Sequence, residues 1–349
     1  MNHHHLPCNL KPFTTIFSFF LLYLNLHNLQ TIESRNPSQF TTTNPTPDVS
    51  IPEIKHHLQR YGYLPQNNDV DDVSFEQALS RYQKNLGLPI TGKPDSDTLS
   101  HILLPRCGFP DDVVDHKTSP FHTRKKYVYF PGRPRWTKDV PLNLTYAFSQ
   151  DNLTPYLTPT EIRRVFRRAF AKWASVIPVS FVETEDYVEA DIKIGFFAGD
   201  HGDGEPFDGV LGVLAHTFSP ENGRLHLDKA ETWAVDFDEE KSRVAVDLES
   251  VAVHEIGHVL GLGHSSVKDA AMYPTLKPRS KKVNLNVDDV VGVQSLYGTN
   301  PNFTLSSLLA SETSTNLADG SMMRPSEGII YSTLTTVMAA LVFLIGRFV

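Results

Sequence analysis

Apolar residues recur at Ile54, Leu58 and Tyr61, then at Phe75, Leu79, Tyr82 and Leu86, spaced as one buried helix face. Gly62 and Gly87 stand where those helices should stop, and Asp95 is placed to cap a third. A small three-helix unit is therefore expected at about residues 50–104. Further on, "PLNLTYAF" reads as a strand and "TPTEIRRVFRRAFAKWASV" as an amphipathic helix opened by Thr158 or Thr160. "VSFVE" and "ADIKIGFF" follow as strands, and "HLDKAETWAVD" as one more. "DLESVAVHEIGHVLGLGH" has the pattern of a long helix, and "NVDDVVGVQSLYG" that of a last helix ended by Gly298. Strands and helices mixed in this way predict one α/β domain over 127–299.

Two stretches are apolar throughout. "PFTTIFSFFLLYLNL" after Lys11 has the length of a signal-peptide core and is short for a membrane span, so residues 1–30 are expected to be removed on secretion. An anchoring first helix is the alternative. "IIYSTLTTVMAALVFLIGRFV" ends the chain behind the small residues and polar spacer of "ADGSMMRPSEG". That order is the signal for exchange of the tail, 322–349, for a glycolipid (GPI) anchor, with a plain transmembrane helix as the alternative. The sequons at Asn143, Asn152 and Asn302 agree with an extracellular location, whereas Asn44 is blocked by the following proline. Net charge of -8 over 349 residues, with no basic stripe, gives no reason to expect a nucleic-acid partner. The proline-rich, charged stretch 112–138, with Arg124, Lys125 and Lys126, is a natural cleavage boundary that closes a propeptide of 31–126. Residues 300–321 are expected to be a linker.

Candidate chemistry concentrates in "HEIGHVLGLGH". Residues four apart share a helix face about 6 Å along the axis, so His254 and His258 can hold one metal. His264, six residues past His258, would point roughly 240° round a continuing helix. Gly261 can end that helix in a left-handed turn and return His264 to the site. Three histidines leave a fourth zinc position for water, the mark of a catalytic centre, with Glu255 beside it as general base.

With these residues the chain resembles the metzincins, and among them the matrix metalloproteinases. "AAMYP" downstream places Met272 at the methionine turn beneath the zinc. The helical unit resembles the peptidoglycan-binding-like fold of secreted hydrolase propeptides. The expected fold is thus a metzincin catalytic domain, a mixed twisted sheet with long helices, behind a three-helix prodomain. Its short layout resembles plant members without a haemopexin-like domain.

The resemblance implies a second, structural zinc on His201, Asp203, His216 and His226. It also implies at least one Ca²⁺ on Asp208, Asp228 and Glu231 with the carbonyls of Gly209, Leu211 and Val213. Asp191 and Gly223 are weaker candidates for a second calcium. "PRCGFPD", residues 105–111, resembles the propeptide switch, so Cys107, left alone once Cys8 is removed, would be the inhibitory fourth ligand of the catalytic zinc. Arg106 and Asp111 would pair to stiffen that loop, a small contribution for an exposed pair. Phe109 stands where valine is common. In the pocket wall "TLKPRSKK", Leu276 stands where the family often has tyrosine, which leaves pocket depth open.

The expected protein is a monomeric, secreted zymogen, anchored to the outer membrane face, that cleaves extracellular-matrix proteins or peptides with two zinc ions per chain. The alternative is a wall- or matrix-binding protein carrying an inert protease-like domain.

Overall fold

Each helix starts at a side chain able to receive its free backbone N–H groups. The computed structural model describes residues 49–66, 71–111, 127–138, 140–304 and 306. The expected signal peptide, the basic cleavage stretch and the C-terminal tail lie outside these residues. Helix α1 (Ile51–Arg60) begins with a capping box of Ser50 and Glu53. Helices α2 (Asp72–Asn85) and α3 (Ser96–Ile102) are capped by Asp71 and Asp95. Ile54, Leu58, Tyr61, Leu79, Tyr82 and Leu86 are buried together between them, and Phe75 packs half-buried on their rim.

The remaining chain builds one six-stranded sheet. Strand β1 (Arg106–Cys107) is short, as is β2 (Tyr127–Tyr129), and β3 (Leu142–Phe148), β4 (Val179–Glu183) and β5 (Ile192–Phe197) follow the expected segments. Strands β6 (Val213–Thr217) and β7 (Arg224–Asp228) complete the order β1-β6-β7-β5-β3-β4. Only β6 and β7 pair antiparallel in this sheet. Helix α4 (Pro159–Val176) opens at Thr158, not Thr160, through a capping box with Glu161. Ile162, Val165, Phe166, Ala169, Phe170 and Trp173 make its buried face. Trp173 Nε1 donates to Val253 O at 2.9 Å and ties α4 to α5 (Leu248–Val259). Residues 250–259 of α5 are all buried, which is why its pattern is apolar all round. Helix α6 (Val287–Tyr297) ends at Gly298 as expected.

Two expected elements differ. "HLDKAETWAVD" is not one strand, because β7 ends at Asp228 and β8 (Trp233–Ala234) pairs instead with β9 (Val246–Asp247). Asp228 accepts a hydrogen bond from Ala230 N at 2.8 Å, and this local turn competes with the ladder. The long helix stops at Val259, and its last residues become β10 (Leu262–Ser265), antiparallel to β2. No helix among the described residues is long and apolar enough to cross a membrane.

The helical unit also reaches across to the residue after Met272. Tyr273 is buried with the core of that unit. Its hydroxyl donates to Leu86 O at 3.0 Å, so it must accept from His101 Nε2–H, 2.7 Å away. His101 Nδ1 is then an acceptor for Tyr82 OH at 2.8 Å. Burial drives the His101 pKa down to about 3, so the ring is neutral and the chain of donors is complete. Replacing His101 by Phe should keep the ring volume but remove the partners of two buried hydroxyls. A loss of about 1–3 kcal/mol is expected, read as a lower Tm of the full chain and faster proteolysis of the helical unit. An unchanged Tm would show that the buried chain holds nothing together.

Candidate metal centres

Helix α5 places His254, Glu255 and His258 on adjoining positions, and the turn after it decides where His264 goes. Gly261 has φ 98°, and a Cβ there would run into Pro134 O. The chain reverses at this point, β10 pairs with β2, and His264 Nε2 arrives 3.2 Å from His258 Nε2. All three Nδ1 atoms face acceptors. His254 faces Ala271 O, His258 faces Leu262 O and His264 faces Asp111 Oδ1, each at 2.7 Å. The protons therefore sit on Nδ1, and three Nε2 lone pairs point at one another.

Cys107 Sγ completes the group, 3.4 Å from His258 Nε2, and the four ligand atoms lie within 4.8 Å of one another. His254 Nε2 is buried without a hydrogen-bond partner. Burial pushes the pKa of His254 and His258 well below the usual value and that of the Cys107 thiol well above it. Electron-rich atoms crowded in this way fit a divalent cation, which would also make the thiolate favourable.

The segment carrying Cys107 fills the cleft between two walls. Arg106 N donates to Gly212 O and Gly108 N to Ala215 O on the β6 side, at 3.1 and 2.8 Å. Cys107 N donates to Pro274 O at 2.9 Å, and Leu276 N to Pro105 O at 3.0 Å, on the other. The Arg106–Asp111 pair differs from the expectation of an exposed, weak contact: the side chains are 1% and 2% exposed. The guanidinium lies over the Tyr61 ring at 3.5 Å, under the helical unit that the sequence could not place. Asp111 accepts from both Arg106 nitrogens, at 3.1 and 2.5 Å, from Tyr63 OH at 3.0 Å and from His264. These charges hold its carboxyl well below the usual range although burial alone would raise it. Asp111 thus orients a histidine of the cluster, a contact that no local spacing announces.

Glu255 is 1% exposed, and burial raises its pKa to about 7 against the hydrogen bond from Thr217. Thr217 Oγ1 donates to Glu255 Oε2 at 2.6 Å. Met272 lies beneath α5, where a side chain at Gly257 would strike its sulfur. A narrow cavity of about 20 Å³ opens beside His254 and Glu255, lined by Leu214, Val251, Tyr273, Leu276 and Lys282. Sequence reasoning missed Thr217, whereas Leu276 and Lys282 belong to the stretch "TLKPRSKK" expected as pocket wall.

A second group forms around Asp203. One of its oxygens, Oδ2, is 2.9 Å from His201 Nε2, 2.9 Å from His216 Nε2 and 2.8 Å from His226 Nδ1. The four ligand atoms again lie within 4.8 Å of one another. His201 Nε2 and His226 Nδ1 face each other at 3.1 Å, while His201 Nδ1 is turned to Gly199 O. Burial pushes the His226 pKa down to about 4 and lowers that of His216. Three imidazoles around one carboxylate, with no position left over, fit a closed zinc set.

Asp208, Asp228 and Glu231 lie nearby but do not form a third such group among the described residues. They accept from the loop amides of Val213, Gly209 and Leu211, at 2.7, 3.0 and 2.7 Å. Burial and the neighbouring acids raise Asp228 to about 6 and Glu231 well above its usual value, and Glu231 Oε2 is buried without a partner. Three acids pressing on one another, one with an orphaned oxygen, fit a hard cation. Asp191 is occupied by Thr145 and Lys138. Of the sequons, Asn143 and Asn302 are exposed and Asn152 is half-buried against Ser149.

Residues 135–298 match the family described as matrixin, and residues 48–102 match a peptidoglycan binding domain. The chain is 88% identical over 339 residues to Metalloendoproteinase 4-MMP of Arabidopsis thaliana, covering 97% of this chain and 98% of that protein. It is 57% identical over 269 residues to Metalloendoproteinase 1-MMP of the same plant, covering 76% of this chain and 73% of the other. Interstitial collagenase of Bos taurus is 36% identical over 270 residues, covering 75% of this chain and 52% of that protein.

Gly261→Ala tests the turn that assembles the first centre. The positive φ and the contact with Pro134 O both oppose a side chain, so about 1–3 kcal/mol of destabilisation is expected. The measurement is Tm together with zinc content, which should fall because His264 is displaced. A variant with the wild-type Tm and full zinc content would refute this role for the turn.

Proposed function

The chain belongs to the matrixins and is a zinc metalloendopeptidase, and on that premise we propose that it is a secreted zymogen latched by its own thiol. The observation that carries the reading is the convergence of Cys107 Sγ with the three histidine nitrogens. In this reading His254, His258 and His264 hold the catalytic zinc, and Cys107 takes the fourth position until the propeptide leaves. When bound, the zinc polarises the scissile carbonyl and acidifies water.

The protein groups do the rest. Glu255 takes a proton from the attacking water at Oε1, the oxygen left without a hydrogen bond, and passes it to the leaving amine. The carbonyls of Gly212, Ala215 and Pro274 orient an extended substrate once the segment 105–108 has withdrawn. The Asp203 cluster holds a second, structural zinc, and the Asp208, Asp228 and Glu231 loop holds calcium. Both stiffen the β6–β7 edge. A complete ligand set with Glu255 in place weighs against an inert, purely binding protein.

The expected result for Cys107→Ser is measurable peptide hydrolysis by the intact proenzyme, since a serine hydroxyl is a far poorer zinc ligand than a thiolate. Wild type should stay nearly silent until a mercurial captures the thiol, and Glu255→Ala should be silent yet zinc-loaded. Chain length is checked by gel. An intact Cys107→Ser chain as silent as wild type, with an active cleaved form, would remove Cys107 as the latch.

From the terminal sequences, the reading extends to a glycosylated monomer held by a glycolipid on the outer face of the membrane, acting on extracellular-matrix proteins. Phosphatidylinositol-specific phospholipase C should then release it from intact membranes. Retention, beside complete release of a control anchored protein, would favour a transmembrane tail.

A further inference from the structure

The hydroxyl of Thr217 has one proton to donate, and Glu255 Oε2 receives it at 2.6 Å. Both side chains are buried while the Cys107 segment fills the cleft. The two oxygens of Glu255 are consequently unequal: Oε2 is held, and Oε1 is left without a hydrogen bond. A hydrogen bond to one oxygen restrains the carboxylate from turning about its last bond, which keeps the other oxygen aimed in one direction.

What holds Thr217 is the strand it belongs to. Successive side chains on a strand point to opposite faces, so His216 and Thr217 leave β6 in opposite directions. His216 reaches Asp203 in the second metal cluster, and Thr217 reaches Glu255. Their backbones are pinned through the register His216↔His226 and Thr217↔Leu225, on the β7 side. The opposite edge of β6 pairs with β1, the segment that carries Cys107. Removal of β1 therefore leaves the support of Thr217 intact.

We propose that Thr217 is the positioning residue for the reacting carboxylate, fixing Glu255 through Oε2 so that Oε1 faces the attacking water. This rests on the reading of Glu255 as the general base. The hydroxyl is the active feature, and the methyl group of Thr217 is only packing.

The test compares full-length wild type with Thr217→Val, which keeps shape without the hydroxyl, and Thr217→Ser, which keeps the hydroxyl alone. Each is activated by the same mercurial treatment, and kcat, KM, zinc content and Tm are measured. A general base contributes about 10²–10⁴-fold, and loss of its alignment should remove part of that. Thr217→Val is expected to lower kcat by about tenfold or more, with KM, zinc content and Tm close to wild type. Thr217→Ser should recover most of the loss. Wild-type kcat in Thr217→Val would overturn the proposal. So would equal losses in Val and Ser accompanied by lost zinc, which would mark a structural role. Should the Val variant fail to fold, Thr217→Ala beside Thr217→Ser makes the same comparison. Glu255→Ala run in parallel separates the two readings. A zinc-loaded Glu255→Ala with normal turnover sinks the base itself, whereas a silent one beside a fully active Thr217→Val overturns Thr217 alone.

Discussion

Four electron-rich atoms, three imidazole nitrogens and one sulfur, are held within 4.8 Å of one another in a buried space. Such a group is unfavourable without a cation, because the lone pairs repel and none can reach water. Much of the architecture serves to keep them there. Each histidine is locked by an acceptor on its far nitrogen, and those acceptors come from three different places: Ala271 beside Met272, Leu262 in β10 and Asp111 in the segment that carries Cys107. The helix, the turn at Gly261 and the strand after it exist in this register because the nitrogens must meet.

The segment 105–111 contributes more than a thiol. It lays a short strand along β6 and occupies backbone groups on both sides of the cleft, so the proposed latch would fill the cleft as well as the fourth metal position. Asp111 reaches through to His264, and the guanidinium of Arg106 is sealed beneath Tyr61. A buried pair of this kind is far harder to break than an exposed one, since removing one partner strands the other charge. The His101 chain adds a second, independent attachment at Tyr273, next to the methionine turn.

Strand β6 is where these contacts meet. Its Ala215 carbonyl receives the Cys107 segment, His216 faces Asp203 and Thr217 faces Glu255. A strand with alternating side chains can serve two centres that lie on opposite faces, and a shift of one residue would disconnect both. A glycine-rich loop with positive φ at Gly202 and Gly204 precedes β6 and brings His201 and Asp203 back beside His216.

After these comparisons, the division between what the linear chain determined and what folding decided is physical. Patterns with a fixed local period were legible: the helix faces of Leu58 and Tyr82, a cap at Thr158 or Thr160, the i, i+4 histidines and the glycine that ends their helix. Each depends on neighbours within a turn or two, where backbone geometry is set by sterics alone. Resemblance supplied the ligand set around Asp203, which spacing alone left open. The tertiary structure decided the rest. It broke "HLDKAETWAVD" at Asp228, where a side-chain turn outcompeted the ladder, and it made a strand of Val213–Thr217, where no element was expected. It buried the Arg106–Asp111 pair and joined Thr217 to Glu255 and Tyr273 to His101, pairs 38 and 172 residues apart. Contacts at such separations leave no periodic trace in the sequence, because they arise only when sheet register and helix packing bring distant segments to the same place.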